Sequence, residues 1–291
     1  MIRGYLNIVL LFLIILLISG CSEKAPSNAV IKSSPSSIVE DKLILAGSGS
    51  NIPITSKLVE GYRIKTGENV EVLESIGTDG AINAIKSGRL ELGLASRPLT
   101  AEEREFGLKE LPYARVAVVF GVHRDVPDTR ISTSEIIEIL KGLKTTWSNG
   151  AKIYVFVREP KDSSNIVLYE QIPGYKKVLF ESYADRRWEV LYSDGGMTGT
   201  LQNTKNSFGV VNTTDIATVN SIKALDVNGI SPTQENVLSG DYNLIKDLTF
   251  VYKDQLSIRS ENFLNFVFSP EGKQMLTKWG AVPLGRYCYI N

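Results

Sequence analysis

The side chains with chemistry to offer gather between Gly77 and Thr100, in Gly-Thr-Asp-Gly-Ala-Ile-Asn-Ala-Ile-Lys-Ser-Gly-Arg-Leu-Glu-Leu-Gly-Leu-Ala-Ser-Arg-Pro-Leu-Thr. Thr78 is of the type that caps a helix N-terminus, Ala81, Ile82, Ala84 and Ile85 form an apolar stripe at helical spacing, and Gly88 suits the left-handed residue that closes a helix. Leu90, Leu92 and Leu94 then alternate as a half-buried strand. The N–H groups from Gly77 to Ala81 would project from a helix start, where the backbone dipole is positive and a small anion can be held. Ser96 and Arg97 fall at the strand's carboxyl end, where open α/β sheets place their ligands.

A similar arrangement precedes this one. Lys42-Leu-Ile-Leu-Ala46 reads as a buried strand, followed by Gly47-Ser48-Gly49-Ser50-Asn51-Ile52-Pro53. The glycines permit close backbone approach, Ser50 or Asn51 can cap, and Pro53 suits a first helical turn. Helical spacing continues through Leu58, Val59 and Tyr62 to Thr66-Gly67, and Val70-Glu-Val-Leu73 is the next strand. Strand, glycine turn, helix and strand, twice over, implies an α/β fold with a parallel sheet and helices on both faces. A dinucleotide site would need Gly-x-Gly-x-x-Gly, and no third glycine follows before Pro53.

These segments resemble the phosphate-binding proteins of bacterial ABC importers, in which a G-S-x-G helix start is followed by an (E/D)-x-G-x-A-S-(R/D)-x-L strand end. The resemblance extends, in consistent order, from about Lys42 to Leu284. Trp147, Gly150 and Ile153-Tyr-Val-Phe-Val157 resemble the family's W-x-x-G and the strand that carries an arginine, here Arg158. Arg158-Glu-Pro-Lys-Asp-Ser-Ser-Asn165 resembles R-(E)-x-x-S-G-T, with one residue inserted before Ser163 and Ser164-Asn165 in place of Gly-Thr. Ser163 is expected to cap the helix that follows, through Leu168. Ser207-Phe-Gly-Val-Val-Asn212 resembles the family's P-G-A-I-G-Y strand, and Ser269-Pro-Glu-Gly-Lys running into Gly280-Ala-Val-Pro-Leu resembles its C-terminus.

The resemblance implies a two-lobed type II periplasmic-binding-protein fold, each lobe a mostly parallel sheet flanked by helices, with the ligand cleft between the lobes. On that basis residues 41–121 and 222–291 form lobe 1 and residues 122–221 form lobe 2, with Gly121 to Pro127 leaving a strand as the crossing loop. The implied task is capture of a tetrahedral oxyanion, phosphate or a relative, for an ABC permease in the membrane, with no cofactor. The implied ligand donors are backbone N–H groups near Ser50, Asn51 and Ile52 and near Thr78, Asp79 and Gly80, the hydroxyls of Ser50, Thr78 and Ser163, and the guanidinium forks of Arg97 and Arg158. Ser96, Ser164 and Asn165 complete the expected set. One branch of the family carries an aspartate at the position of Arg97, accepting a hydrogen bond from protonated phosphate. With arginine there the acceptor must come from elsewhere, and Asp79 and Asp162 are nearest in sequence, although either could simply cap a helix.

Further helix starts are legible. Thr100-Ala-Glu-Glu103 reads as a capping box, Ser132-Thr-Ser-Glu135 opens a helix closed by Gly142, and Pro173-Gly174 separates two helices, the second running to about Trp188. Leu111 to Phe120, Ile222 to Asp226 and Leu248 to Tyr252 are strand candidates. Ser260 is expected to cap a helix carrying Phe263, Leu264, Val267 and Phe268, and Ser269-Pro270 starts the last, whose stripe of Met275, Leu276 and Trp279 is core packing.

Length and composition fit this frame. The 291 residues, 43% apolar and 22% charged, suffice for a large core. Net charge is zero, and about −1 once a leader bearing Arg3 is removed, so no polyelectrolyte surface for nucleic acid is present. The sole histidine, His123, has no partners at metal-ligand spacing, and no G-x-S-x-G elbow exists, so nothing in the chain favours an enzyme. The apolar run from Ile8 to Ile18 has the length of a signal-peptide core, and Ile18-Ser-Gly-Cys21 resembles the bacterial lipobox. Residues 1–20 are therefore expected to be a lipoprotein signal peptide, Cys21 the lipidated residue, and 21–40 a flexible tether placing a monomeric domain on the extracytoplasmic face of the cell membrane. Cys288 would be the one cysteine of the domain, with no disulfide partner. The other function on this fold is an extracytoplasmic sensor or interaction module not coupled to transport.

Overall fold

The computed structural model describes residues 42–286. The leader, Cys21, the tether and Cys288 lie outside the described residues.

The first strand, β1 (Leu43–Gly47), leads through a single 3-10 turn at Gly49–Asn51 into α1 (Ile52–Thr66), with Pro53 in its first turn and Gly67 at φ 75° closing it. Then come β2 (Val70–Val72), α2 (Gly77–Lys86), β3 (Leu92–Ala95) and α3 (Ala101–Glu105). The capping box at α3 forms as its sequence suggests, Thr100 accepting from the Glu103 N–H and Glu103 from the Thr100 N–H. Strand β3 is shorter than the leucine alternation suggests and is buried on both faces. Leu92 and Leu94 pack with Ile54 and Leu58 of α1, while Gly93 lies against Ala81 and Ile85 of α2.

Strand β4 (Lys109–His123) takes in the first three residues of the expected crossing loop, Gly121 to His123, and the chain leaves the strand only at Arg124. Beyond it lie β5 (Arg130–Ile131), α4 (Thr133–Lys141), β6 (Tyr154–Arg158), α5 (Ser163–Gln171), α6 (Tyr175–Ala184), β7 (Glu189–Leu191), α7 (Asp194–Asn203), β8 (Ser207–Asn212), α8 (Thr213–Ala217), β9 (Ile222–Ala224), β10 (Asp226–Val227) and α9 (Gln234–Ser239). The chain ends with β11 (Ile245–Tyr252), α10 (Ile258–Val267), α11 (Pro270–Lys278) and β12 (Val282–Pro283). Among the described residues no helix is long and apolar enough to cross a membrane.

Four helix caps differ from the sequence reading. Neither Ser50 nor Asn51 caps α1 through its side chain, Ser50 donating to Asp194 and Asn51 to the Ala95 carbonyl instead. Asp162, not Ser163, caps α5, accepting from the Ser164 N–H. Thr78 does not cap α2, because its hydroxyl accepts the Ser96 N–H instead. Ser257 caps α10, and Ser260 is buried within its first turn, donating to Glu91.

The main sheet has the order β2-β1-β3-β11-β4-β8-β6-β7. β1 is flanked in parallel by β2 and β3, and β6 in parallel by β8 and β7. β11 and β4 join the two parallel sets by antiparallel pairing. Along β4 the partner changes from β11 to β8 between Ala117 and Val118, so the chain passes from one half to the other within a continuous strand. The register of β11 on β4 slips between Leu248 and Thr249, opposite Pro112 and Tyr113. Proline has no N–H to donate, which is where a ladder accommodates an extra residue.

Two large apolar cores flank this change of partner. One packs β1, β3 and the first part of β4 against α1 and α10, with Tyr62 edge-on to Phe263 at 5.4 Å. The other gathers Val118 to Val122 with α4, α6 and β8, and its members extend through Leu225, Val227, Val237, Tyr242 and Leu244. Residues 222–244 therefore belong with the second core, not the first as the sequence boundary had it. The physical reason is pairing: β9 lies on the distal end of β4 and β10 on β5, and the chain returns to the first core only with β11.

Candidate functional site

Four helix starts face one cleft of about 1220 Å³ between the two halves. Ser48 and Gly49 precede α1, Gly77, Thr78 and Asp79 open α2, Asp162 and Ser163 open α5, and Ser193 and Asp194 open α7. First-turn N–H groups have no acceptor within their own helix, so their convergence gives the cleft a positive backbone potential.

At the floor the halves are joined by hydroxyls and buried charges. Ser96, at the end of β3, donates to Ser163 of α5 at 2.9 Å, and shares a 2.6 Å hydrogen bond with Ser48. Lys246 projects from β11 with its residue only 6% exposed. Its Nζ donates to Ser50 at 2.7 Å, Ser164 at 2.8 Å and Ser163 at 3.0 Å, which employs all three of an ammonium's protons. Ser50 in turn donates to Asp194 at 2.9 Å.

Arg158, at the end of β6, is buried and reaches two carboxylates. Its Nε and Nη2 bond Asp162 Oδ2 at 3.2 and 2.8 Å, and Nη2 also bonds Asp194 Oδ2 at 3.2 Å. Its Nη1 is buried with no protein partner. An unpaired buried guanidinium nitrogen is costly to leave without a partner.

These charges shape one another's protonation. Burial alone would raise the Asp162 pKa, but the positive charges of Arg158 and Lys246 outweigh it and hold the carboxyl low. Burial lowers the Lys246 pKa, opposed by Asp162, Asp194 and Asp215. Asp215 of α8, held by the backbone and side-chain N–H groups of Asn212 at 2.8 Å each, is pushed up to about 7 by burial and by the neighbouring charge of Asp194. Two cations, Arg158 and Lys246, thus stand among the carboxyl groups of Asp162 and Asp194 and of an Asp215 whose pKa is raised to about 7.

The expected site residues divide into two groups. Ser50, Ser96, Arg158, Ser163 and Ser164 meet in the buried cluster, with Thr78 fixed beside it. Asn51 and Asn165 do not present their amide nitrogens to the cleft. Asn51 donates to the Ala95 carbonyl at 3.0 Å and accepts from Tyr113 at 2.9 Å, and Asn165 donates to the carbonyls of Arg158 and Glu159. Both hold loops in place. Ile52 and Gly80 stand at the first turns of α1 and α2 and are not among the residues that line the cleft, and a Cβ on Gly80 would lie 3.1 Å from Ile76.

Arg97 differs from the expectation of a second free fork. Its Nη1 and Nη2 form a bidentate pair with Glu103 at 2.9 and 2.8 Å, and Nη2 also bonds Asp79 at 2.7 Å. Hydrogen bonding to Arg97 takes the Glu103 pKa down to about 2. Arg97 lines the cleft wall as part of this ion pair, and Asp79 and Asp162 are both committed to arginines.

Sequence reasoning missed Lys246 and Asp194. The signal for Lys246 was a single cation inside the strand Leu244-Ile-Lys-Asp-Leu-Thr-Phe250. Asp194 opens a helix containing Gly195, Gly196 and Gly199, whose low helix propensity conceals it.

Residues 32–271 match the family model described as the PBP superfamily domain, and the chain belongs to that superfamily. Among curated relatives it is similar to the phosphate-binding protein PstS of Borreliella burgdorferi, 23% identical over 253 residues that cover 82% of this chain and 89% of that one. Among solved structures it is similar to a Clostridium perfringens protein described as a phosphate ABC transporter substrate-binding protein with bound phosphate. That match has a TM-score of 0.71 at 25% identity and covers 84% of this chain and all of the other. A phosphate-binding protein named PfluDING shares the fold alone, at 11% identity and a TM-score of 0.65 over 84% of this chain and 91% of that one.

Proposed function

We propose that this chain is an extracytoplasmic solute-binding protein that captures phosphate, or a closely related tetrahedral oxyanion, and delivers it to an ABC permease. The observation that carries the reading is a cleft lined by the starts of four helices and by Arg158, whose guanidinium keeps one nitrogen unpartnered. Phosphate-binding relatives along most of the chain support it.

The residues divide the work between the halves. Residues 42–117 with 245–286 form one lobe and 118–244 the other, joined through β4 and β11. The ion is held first by N–H groups at the starts of α1 and α2. Closure then brings Arg158, Ser163 and the start of α5 onto it. Lys246, on a strand of the first lobe, links the serines of both lobes, so it senses closure directly. Several charge-assisted hydrogen bonds at roughly 1.5–3 kcal/mol each suffice for micromolar affinity, which needs about 8 kcal/mol net. The mature protein is a monomer held to the membrane by lipid on Cys21, and it performs no catalysis.

The test is a thermal-shift panel on the full chain, purified free of phosphate, against phosphate, arsenate, sulfate and molybdate at equal concentration. A ligand that binds only the folded state raises the melting temperature. Stabilisation by phosphate and arsenate supports the reading, stabilisation by sulfate or molybdate alone changes the ligand, and no shift with any of them removes oxyanion capture.

A further inference from the structure

The cleft is far larger than a five-atom ion requires. At about 1220 Å³ it exceeds the roughly 300–1,000 Å³ typical of sites for organic ligands. The halves are already bonded at the floor through Ser96 to Ser163, Lys246 to Ser163 and Ser164, and Ser50 to Asp194.

Above that floor the walls change character. Of the eleven exposed large hydrophobic side chains among the described residues, four line this cleft: Ile76 from the first half, and Ile166, Phe180 and Tyr192 from the second. Exposed apolar surface gathered in one concavity, beside a polar anchor, is the usual signature of an organic ligand. The wall is also preformed. Phe180 packs against Tyr169 with ring centroids 6.1 Å apart, and the Tyr169 hydroxyl is fixed on the Pro160 carbonyl at 3.0 Å.

Helix α5 supplies the ruler. Ser163 is its first residue and reaches the floor, Ile166 lies one turn on, and Tyr169 a further turn. At 1.5 Å rise per residue these stand roughly 4.5 and 9 Å beyond Ser163 along the axis. A group bonded to one oxygen of a phosphoryl unit at the floor would therefore meet Ile166 first and the Tyr169–Phe180 wall next.

Resting on the oxyanion reading above, we propose that this site takes phosphate monoesters bearing a planar aromatic group, with the phosphoryl end at Arg158 and Ser163 and the ring against Ile166, Phe180 and Tyr192. The cationic donors at the floor require the anionic end, and the aromatic wall accounts for the substituent. Nothing is cleaved. The ester is bound and released intact.

The experiment is isothermal titration of the phosphate-free full chain with inorganic phosphate, methyl phosphate and phenyl phosphate, repeated on Phe180→Ala and Tyr192→Ala. The expected result is phenyl phosphate binding at least about tenfold more tightly than methyl phosphate, since ring contact and area burial each contribute. Each variant reduces that preference several-fold while inorganic phosphate affinity stays within about twofold, since neither side chain takes part in the hydrogen bonds of the floor. A preference below tenfold, or one unchanged in both variants, overturns the inference. If inorganic phosphate binds and phenyl phosphate does not, this inference alone fails. If neither binds, the oxyanion reading fails with it.

Discussion

Lys246 on β11 and Ser164 on α5 stand 82 positions apart in the chain and are joined by a 2.8 Å hydrogen bond across the floor of the cleft. The same ammonium bonds Ser50 of the first half, so one buried cation ties the start of α1 to the start of α5. Replacing it by methionine keeps the volume but removes the charge. Lys246→Met leaves Asp162 and Asp194 facing Arg158 alone, and losing one partner of a buried ionic cluster costs about 3–5 kcal/mol. The melting temperature should fall markedly, and phosphate affinity, read by titration below that temperature, should drop on the order of a hundredfold, equivalent to about 2.7 kcal/mol.

The two arginines should behave differently. Arg158 lines the cleft and keeps one guanidinium nitrogen unpartnered, so Arg158→Ala removes detectable phosphate binding. Arg97 is occupied by Glu103 and Asp79, so Arg97→Ala weakens binding by about tenfold or less, while lowering stability by roughly 1–3 kcal/mol through the loss of charged hydrogen bonds. Titration and thermal unfolding of both variants check this. Equal loss of binding in both would place Arg97 on the ligand directly.

How the sequence revealed one arginine and concealed the state of the other follows from distance along the chain. Local rules located β1, α1, α3 and α4, because capping residues, glycine stops and apolar periodicity act within a few positions. The resemblance brought Arg158 and Ser163 together. The bond between Arg97 and Glu103 was not anticipated, although the Thr100–Glu103 capping box was, because the box fixes the carboxylate and tertiary packing alone decides what else it meets. Lys246 was hidden for a related reason. It stands before Leu248, where the sequence reading starts the strand, and beside the charged Asp247, and only the pairing of β11 with β4 carries it beneath the serines. The late return at residue 245 was likewise set by β9 and β10, two strands too short to give a clear pattern.

The Arg97–Glu103 pair sets an acid limit. A carboxyl whose folded pKa is depressed contributes stability above its unfolded pKa and loses it as pH falls through the folded value. For Glu103, lowered from 4.5 to about 2, that contribution is complete above about pH 5 and disappears towards pH 2. The difference in melting temperature between the wild type and Arg97→Ala should therefore be constant from pH 5 to 7 and shrink below pH 4. A difference that persists undiminished at pH 2.5 would show that the pair is not its source.

Asp215 should act with the opposite sign. Its folded pKa is raised from 3.8 to about 7 by burial and by Asp194, so the folded state binds the extra proton. The stability it contributes is fully present below about pH 4 and is lost as pH rises through 7. Asp215→Asn keeps an oxygen to accept the two Asn212 N–H groups but cannot ionise. Its melting temperature should match the wild type near pH 4.5 and exceed it by several degrees at pH 8.5. An anion bound beside Asp194 adds negative charge near the same carboxyl and pushes its pKa higher, so phosphate binding at pH 7.5 should take up a fraction of a proton. Titration in two buffers of different ionisation enthalpy reads that fraction directly, and Asp215→Asn should abolish it while leaving the binding stoichiometry unchanged. Proton uptake that survives in the variant would move the titrating group from Asp215 to the ligand itself.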